Sequence, residues 1–467
     1  MTAVRDVRAF IRSRAVTPAG WLDRYEALFG LAMAGVVLAQ PISSALAAIS
    51  RPADPSRAGA GLALVLLAYA GFLAIARALG PVALPAADAA WLLLSPLHRR
   101  GVLGRTAALL LGVSVLAGAA FGVGALAVLG APDQLTLRLV TAVLLGVSAG
   151  VGGMALTVLS QSSPTWEPWL NAVLVTTTLL AVAATLAAVN SPLRRLLAGL
   201  TNAPAPPGAL LAGLAPAAVG MDPGALTWIT EDNHWRGRVL RSRRWPRLPA
   251  PQALAWQEWR RLGRRPGRLA ALFGSAVLPV LAARAAGGAT AAVLGAVLAG
   301  ALAAAVAGTW GARRDADNPA LARLLGVGAR AALAARSPLP ALLGGAWLTL
   351  ALTGLTLSGA LAAGPWWLFG PLAAPALAAG ALRMARRRPI DHTMPVIETA
   401  GGAVPTGPLI WGMTGVDVAV LGCLPLVVAL AVQPPALTAF LTVQALTGTA
   451  ALLGYLLRAE TGGRLRA

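Results

Sequence analysis

Lysine is absent from this 467-residue chain, and acidic residues are scarce. All 38 basic residues are arginines, against 17 aspartates and glutamates, so the formal net charge is +21. Because a phosphate-binding loop of the G-x-x-x-x-G-K-[ST] type needs lysine, this chain carries no such ATPase motif. Only three histidines occur, His98, His234 and His392, without a cysteine partner or an H-E-x-x-H pattern. We therefore expect no metal site, no cofactor and no catalytic residue.

Cysteine is almost absent as well. Cys423 is the single cysteine, which excludes an intramolecular disulfide, and its position in an apolar run disfavours redox chemistry. The first residues, MTAVRDVRAFIRSRAV, are basic and amphipathic rather than an apolar signal sequence.

Charged residues are few over most of the chain, and apolar residues predominate. Only 12% of residues are charged, whereas soluble domains carry about 25%. Hydrophobic residues make up 57%, and the mean hydropathy is +0.71. The composition predicts an all-α integral membrane protein. A pI near 11.9 also suits nucleic-acid binding, but arginines in loops that face anionic lipid explain it without nucleic acid.

Apolar runs of roughly 20 residues recur, which is the length that crosses a bilayer. They predict eleven clear spans, at about 26–48, 58–79, 106–130, 137–160, 169–189, 268–287, 289–309, 339–362, 364–382, 411–432 and 435–457. Arginine clusters between them are expected on the cytoplasmic side, which places both termini there. The richness in Ala, Arg, Gly and Pro is typical of a bacterial chain, so the expected location is the bacterial cytoplasmic membrane.

The number of spans has to be even for this orientation to hold. Five spans before the arginine cluster at 236–268 would leave that cluster outside, so a further crossing is needed. The stretch at about 207–230 is the available candidate, although Pro216, Asp222 and Pro223 make it a poor helix. We therefore expect about 12 transmembrane helices.

An internal repeat supports this count. Each half begins with a basic, tryptophan-containing amphipathic segment, followed by two spans and a loop that combines leucines with arginines. This divides the chain into two six-span halves, 1–235 and 236–467. The loops lie at about 85–105 and about 311–338.

The stretch WLLLSPLHRRGVLGR, residues 91–105, raises a functional question because it interrupts the spans. Ser95 and Pro96 are typical of a helix start, and the residues that follow combine a basic group (His98, Arg99, Arg100, Arg105) with apolar ones (Leu97, Val102, Leu103). Such a helix fits the membrane surface, where it either forms an ordinary interfacial loop or docks a soluble partner.

The layout resembles the membrane subunit of an ABC-2-type exporter. LLLSPLHRRGVLGR (92–105) is similar to the coupling region of such subunits, and PVIETAGGAVPTGPLIWGMTGVD (395–417) resembles an actinobacterial multi-span family often encoded beside ABC ATPases. The resemblance implies a permease that exports an unknown substrate with ATP hydrolysed by a separate ATPase subunit, present as two copies or a pair.

The resemblance also implies roles for particular segments. Elbow helices would lie at about 4–14 and 253–264, and coupling helices at 95–105 and about 320–336. The implied ATPase-coupling residues are Ser95, Pro96, Leu97, His98, Arg99, Arg100, Arg105, Arg323 and Arg330. The second loop departs from the first, since Gly326-Val327-Gly328 replaces Pro96-Leu97-His98. We expect either weaker docking in one half or a single surviving docking contact.

Asp417 is the clearest charge inside a predicted span, where a charge costs about 2.5–3.5 kcal/mol. It could serve as a polar pivot, a substrate contact or a partner for an arginine in the other half, or it could form a structural hydrogen bond near the membrane edge.

Two other functions remain open from the sequence. A twelve-span secondary transporter is one, because RLGRRPGRL (261–269) is superficially similar to the basic loop of major-facilitator proteins. A membrane enzyme or scaffold without transport is the other. Ion-coupling acids inside the spans are nearly absent, which disfavours the first, and convergent acids and histidines are lacking, which disfavours the enzyme.

Overall fold

The computed structural model describes residues 55–79, 99–129, 133–163, 165–188, 247–264, 266–288, 291–318, 326–388, 396–399 and 402–464. The helices are α1 Pro55–Leu79, α2 Arg99–Leu129, α3 Leu135–Ser162, α4 Glu167–Ala188, α5 Ala250–Gly263, α6 Pro266–Gly274, α7 Leu278–Ala286, α8 Ala291–Val306, α9 Trp310–Asp317, α10 Ala329–Arg336, α11 Pro338–Leu357, α12 Phe369–Ala385, α13 Thr406–Met413, α14 Val416–Gly422, α15 Leu424–Val432 and α16 Thr438–Arg464.

Single 3₁₀ turns lie at Ser275–Val277 and Trp366–Leu368. A short antiparallel hairpin pairs β1 Val396–Thr399 with β2 Gly402–Pro405, and Val396 lies opposite Pro405. The rest of the regular structure in these ranges is helical, as the composition predicts.

Eight of the helical segments are long and apolar enough to span a membrane, which identifies a membrane-embedded protein. They coincide with eight predicted spans: 58–79, 106–130, 137–160, 169–189, 268–287, 339–362, 364–382 and 435–457. The predicted span 289–309 is instead part of a pair, α8 and α9, bent by 63°. The predicted spans 26–48 and 207–230 lie outside the described residues, so the total of about 12 stays a prediction.

The chain forms two compact units. One contains α2, α3 up to Val158 and the β-hairpin, and the other contains α1, α4 to α12 and α14 to α16. These units do not follow the predicted boundary at residue 235, because α1 and α4 group with the later helices. The division into two six-span halves therefore remains a prediction.

In the first unit, α2 and α3 approach so closely that backbones touch. A Cβ at Gly118 would lie 2.7 Å from Val147 Cα, and one at Gly146 would lie 2.7 Å from Gly122 N. Gly118 and Gly122, like Gly146 and Gly150, are four residues apart, which aligns them on one helix face. Small residues at this spacing are the usual means of close packing in membranes. Gly146 and Gly150 thus serve the packing of α3 against α2.

The second unit is built around α8, α11 and α12. Trp347 of α11 is buried, and its Nε1 donates a hydrogen bond to Ser275 Oγ at 2.9 Å. Gly300 of α8 leaves the space that the indole ring fills. Buried alanines and leucines of α11 and α12 complete this core.

The predicted span 411–432 is not one helix but three short ones, α13, α14 and α15. Pro425 lacks the N–H that would continue the helix from α14 into α15. The side chain of Gln444 from α16 enters the resulting gap: Leu426 N–H donates to Oε1 at 3.2 Å, and Nε2 donates to Gly422 O at 2.8 Å. The inserted amide therefore replaces the missing bond between Leu426 and Gly422.

Candidate functional site

The second interrupted loop folds into a short helix, α10, between Gly328 and Ser337. Gly328 is the residue before the helix and has an extended backbone, so α10 begins directly after it. Pro338 begins the next helix after Ser337. Leu333 and Arg336 of α10 are buried. Because residues three apart share a helix face, this face of α10 points into the protein.

Arg336 is the centre of a buried charge cluster, which we call the Arg336 cluster. Its guanidinium forms an ion pair from Nη1 to Glu258 Oε1 and donates from Nη2 to Asp315 Oδ1 at 3.0 Å. Nε lies 2.9 Å from Asp315 Oδ2, without the alignment of a hydrogen bond. The side chains of Arg336 and Glu258 are each only 6% exposed. Three helices, α5, α9 and α10, therefore meet at one guanidinium.

Glu258 comes from α5, the helix that precedes the span at Leu269–Ala286. Leu254 and Glu258 are its buried residues, and their spacing of four places them on the same face. Burial raises the pKa of the Glu258 carboxyl, an effect that Arg336 and Arg261 partly offset and Asp315 reinforces. The loss of hydration therefore disfavours the ionised carboxylate more than the neighbouring arginines favour it, and the packing of the three helices helps to keep the charges together.

Gly311 of α9 makes room for the cluster. A Cβ at this position would overlap Arg336 Nη1 and Glu258 Oε1 and would lie 2.6 Å from Arg336 Cζ. No residue other than glycine fits there without moving the ion pair.

A second contact joins α5 to α9. The Arg261 guanidinium carbon lies 3.0 Å from the ring centroid of Trp310, and that of Arg314 lies 5.4 Å away. Both distances are within the range of a cation–π interaction.

The apolar side of α10 rests on the rest of the unit. Leu333 belongs to a buried cluster with Ala312 and Leu382, and Tyr455 and Leu456 of α16 pack against it. A displacement of α10 would therefore disturb its packing against α9, α12 and α16.

The predicted coupling residues of the first loop fall partly outside the described residues, namely Ser95, Pro96, Leu97 and His98. Arg99, Arg100 and Arg105 lie in α2, which runs without interruption from Arg99 to Leu129. The predicted helix therefore does not end at 105 but continues into the span at Ala107–Leu129, and a role of these arginines in coupling stays a prediction. No proline or cap separates them from the span, so the helix simply continues.

The second loop keeps its predicted helix only in part. Arg323 lies outside the described residues, whereas Arg330 is half-buried in α10. The helix predicted over 253–264 is present as α5, and the one predicted over 4–14 lies outside the described residues.

Asp417 lies at the start of α14 and not in the middle of a long span. Its Oδ1 accepts hydrogen bonds from the backbone N–H of Gly415 and of Val418, both at 2.8 Å. Its Oδ2 lies 3.0 Å from Arg383 Nη2, and both side chains are more than a third exposed. Arg383 belongs to the same predicted half as Asp417, so the arginine that pairs with Asp417 is not one from the other half. The two hydrogen bonds are of the structural kind, and a role as polar pivot or substrate contact stays a prediction.

Replacing Asp417 should separate its two roles. Asp417→Asn keeps an oxygen for the two N–H groups and should change the free energy of unfolding by less than about 1 kcal/mol, because the exposed ion pair contributes little. Asp417→Ala removes the acceptor at the helix start and should cost about 0.5–2 kcal/mol. Thermal unfolding in detergent measures both, and equal losses would contradict the assignment.

Within the described ranges, no group of three or more His, Cys, Asp or Glu side chains could hold a metal ion. The three histidines lie outside those ranges. Cys423 is buried with a free thiol.

Sequence reasoning missed the Arg336 cluster altogether. Glu258 and Arg336 are 78 residues apart, and no spacing rule connects them. One signal was available in the sequence. Glu258 is the sole acidic residue between Arg236 and Arg268, and a single acid among arginines indicates an ion pair.

The apolar helices and the interhelical packing define this protein as a multi-span helical membrane protein. It belongs to a family of unknown function, DUF6297, whose model matches residues 53–207 and 205–395. No curated protein and no solved structure matches the chain.

Proposed function

We propose that this chain is the membrane subunit of an ATP-binding-cassette exporter. The observation that carries the proposal is the direct link between α5 and α10. These two helices correspond to the segments for which the sequence resemblance implies an elbow and a coupling helix. The Arg336 cluster joins them by buried ionic contacts, so a displacement of α10 would also displace α5.

This arrangement suits a protein that is driven by a separate motor. An ATPase subunit that engages the loops would shift α10, and α10 contacts α5, α9, α12 and α16. Several helices would then move together, as a change between inward- and outward-open states requires. The ATPase itself has to be another polypeptide, since the chain lacks a phosphate-binding loop.

Charge reversal in the two loops tests the docking. Arg99→Glu with Arg100→Glu should abolish stimulation of a copurified ATPase subunit by the permease, because like charges at a docking surface repel. Arg330→Glu in the second loop should reduce stimulation less, since that loop departs from the coupling pattern. The measurement is ATP hydrolysis by the reconstituted complex.

Arg138→Glu is the matched control. Arg138 is exposed at the start of α3, at the opposite end of the α2–α3 pair from Arg99, so its reversal should leave stimulation unchanged. Full stimulation in the Arg99/Arg100 variant would contradict docking through this loop. Substrate movement driven by a proton gradient without any ATPase would instead favour a secondary transporter.

A further inference from the structure

The segment that contains α5 has an unusually one-sided charge. Between Arg236 and Arg268 there are eleven arginines and a single acidic residue, Glu258. Glu258 is buried in the Arg336 cluster. The other charged residues of this segment are all arginines.

The outward face of α5 carries two tryptophans. Trp256 is 43% exposed and Trp259 is 40% exposed. At 100° per residue, both lie on the side of the helix opposite Leu254 and Glu258. Arg247 and Arg264, just before and just after the helix, are exposed too. One face of α5 thus binds the protein, and the other presents indole rings flanked by arginines.

The position of α5 in the chain brings this face close to the bilayer. The helix ends at Gly263, and the span that follows begins at Leu269. Tryptophan favours the boundary between hydrocarbon and water, and arginine binds anionic headgroups while its stem lies along apolar surface. A helix with this composition at the end of a span has the chemistry of an interfacial helix.

We propose that α5 binds the anionic headgroup layer of the adjacent leaflet, with Trp256 and Trp259 inserted at its boundary and the flanking arginines on lipid phosphates. The inference goes beyond the proposed function, since it depends neither on an ATPase nor on a transported substrate. An acidic partner protein would suit the arginines, but the position of α5 shortly before a span favours lipid.

The experiment uses the full-length chain in nanodiscs with no other protein present. A spin label at Gln252→Cys reports the exposed, tryptophan-bearing face of α5, while the native Cys423 is buried and stays unlabelled. The readout is the ratio of label accessibility to oxygen over that to a water-soluble nickel chelate. We expect a severalfold higher ratio in phosphatidylglycerol than in phosphatidylcholine, since anionic lipid draws the helix inward.

Two variants make the result specific. Trp256→Ser with Trp259→Ser should lower the ratio in phosphatidylglycerol toward the phosphatidylcholine value, whereas Trp169→Ser, at an exposed tryptophan of α4, should not. A label at Ala334→Cys on the exposed side of α10 should stay accessible to the chelate in both lipids. Unreactive Cys423 in each variant shows that the fold is retained.

Equal ratios in the two lipids would overturn the proposal, whether the label is deep or shallow. An unchanged ratio in the double tryptophan variant would overturn it as well and would point to a protein partner. Neither result bears on the loop variants and their ATPase assay, so the two proposals fail separately.

Discussion

Replacing Arg336 by methionine is expected to lower the free energy of unfolding by about 3–5 kcal/mol. The substitution keeps much of the side-chain volume but leaves Glu258 and Asp315 beside each other without the guanidinium that pairs with both, and Arg261 compensates Glu258 only in part. The side chain of Glu258 is 6% exposed and that of Asp315 is 24% exposed. Water therefore hydrates the Glu258 carboxylate too little to replace the lost ion pair. An uncompensated buried charge costs more than the ion pair contributes when intact. The buried Cys423 provides the measurement, because a thiol-reactive fluorophore labels it only when the second unit unfolds on heating.

Arg383→Met is the matched control for this loss. Arg383 also pairs with an aspartate, at 3.0 Å, but both side chains are more than a third exposed. Its replacement should therefore cost less than about 1 kcal/mol. Equal losses for Arg336→Met and Arg383→Met would contradict the special role of the buried cluster.

A combined variant separates stability from coupling. Replacing Glu258 and Asp315 by leucine together with Arg336→Met removes every charge of the cluster, and apolar replacements of a buried ionic group are often neutral or stabilising. We expect this variant to regain most of the lost stability. If it also stimulates a partner ATPase normally, packing alone joins α5 to α10. If stimulation stays low, the ionic link itself transmits the movement.

How far the sequence determines this fold differs from one element to another. The spans with uninterrupted apolar runs, such as 58–79 and 435–457, were predictable because length and hydropathy alone define a membrane helix. The break in the span 411–432 had a visible signal in Pro425, yet its repair by Gln444 did not, since that contact joins two different helices.

The candidate site was less predictable for a similar reason. Sequence patterns located α5 and the loop around α10, but within that loop they favoured Arg323 and Arg330 rather than Arg336. The residue that links the helices is Arg336, which points inward. Choosing among the 38 arginines requires knowing which carboxylates face one another across helices, and that information is tertiary.

Gly146→Ala should separate α2 from α3 and produce the largest change in the first unit. A Cβ at Gly146 would lie 2.8 Å from Gly122 Cα and 2.7 Å from Gly122 N, which are backbone atoms that cannot rotate away. The helices would have to move apart along the whole Gly118–Gly150 contact, and overpacking of this kind typically costs about 1–3 kcal/mol. Hydrogen exchange of the peptides that cover 107–129 and 135–161 should therefore rise clearly in both helices.

Gly152→Ala supplies the control for this prediction on the same helix. Gly152 lies in α3 only six residues further on, and a Cβ there would meet no atom within 4 Å. Since alanine favours a helix over glycine by up to about 1 kcal/mol, this substitution should leave exchange unchanged or slow it. The two variants add the same methyl group to the same helix, so helix propensity cannot explain opposite effects. If Gly146→Ala exchanged no faster than Gly152→Ala, the close contact of α2 with α3 would not be what holds this unit together.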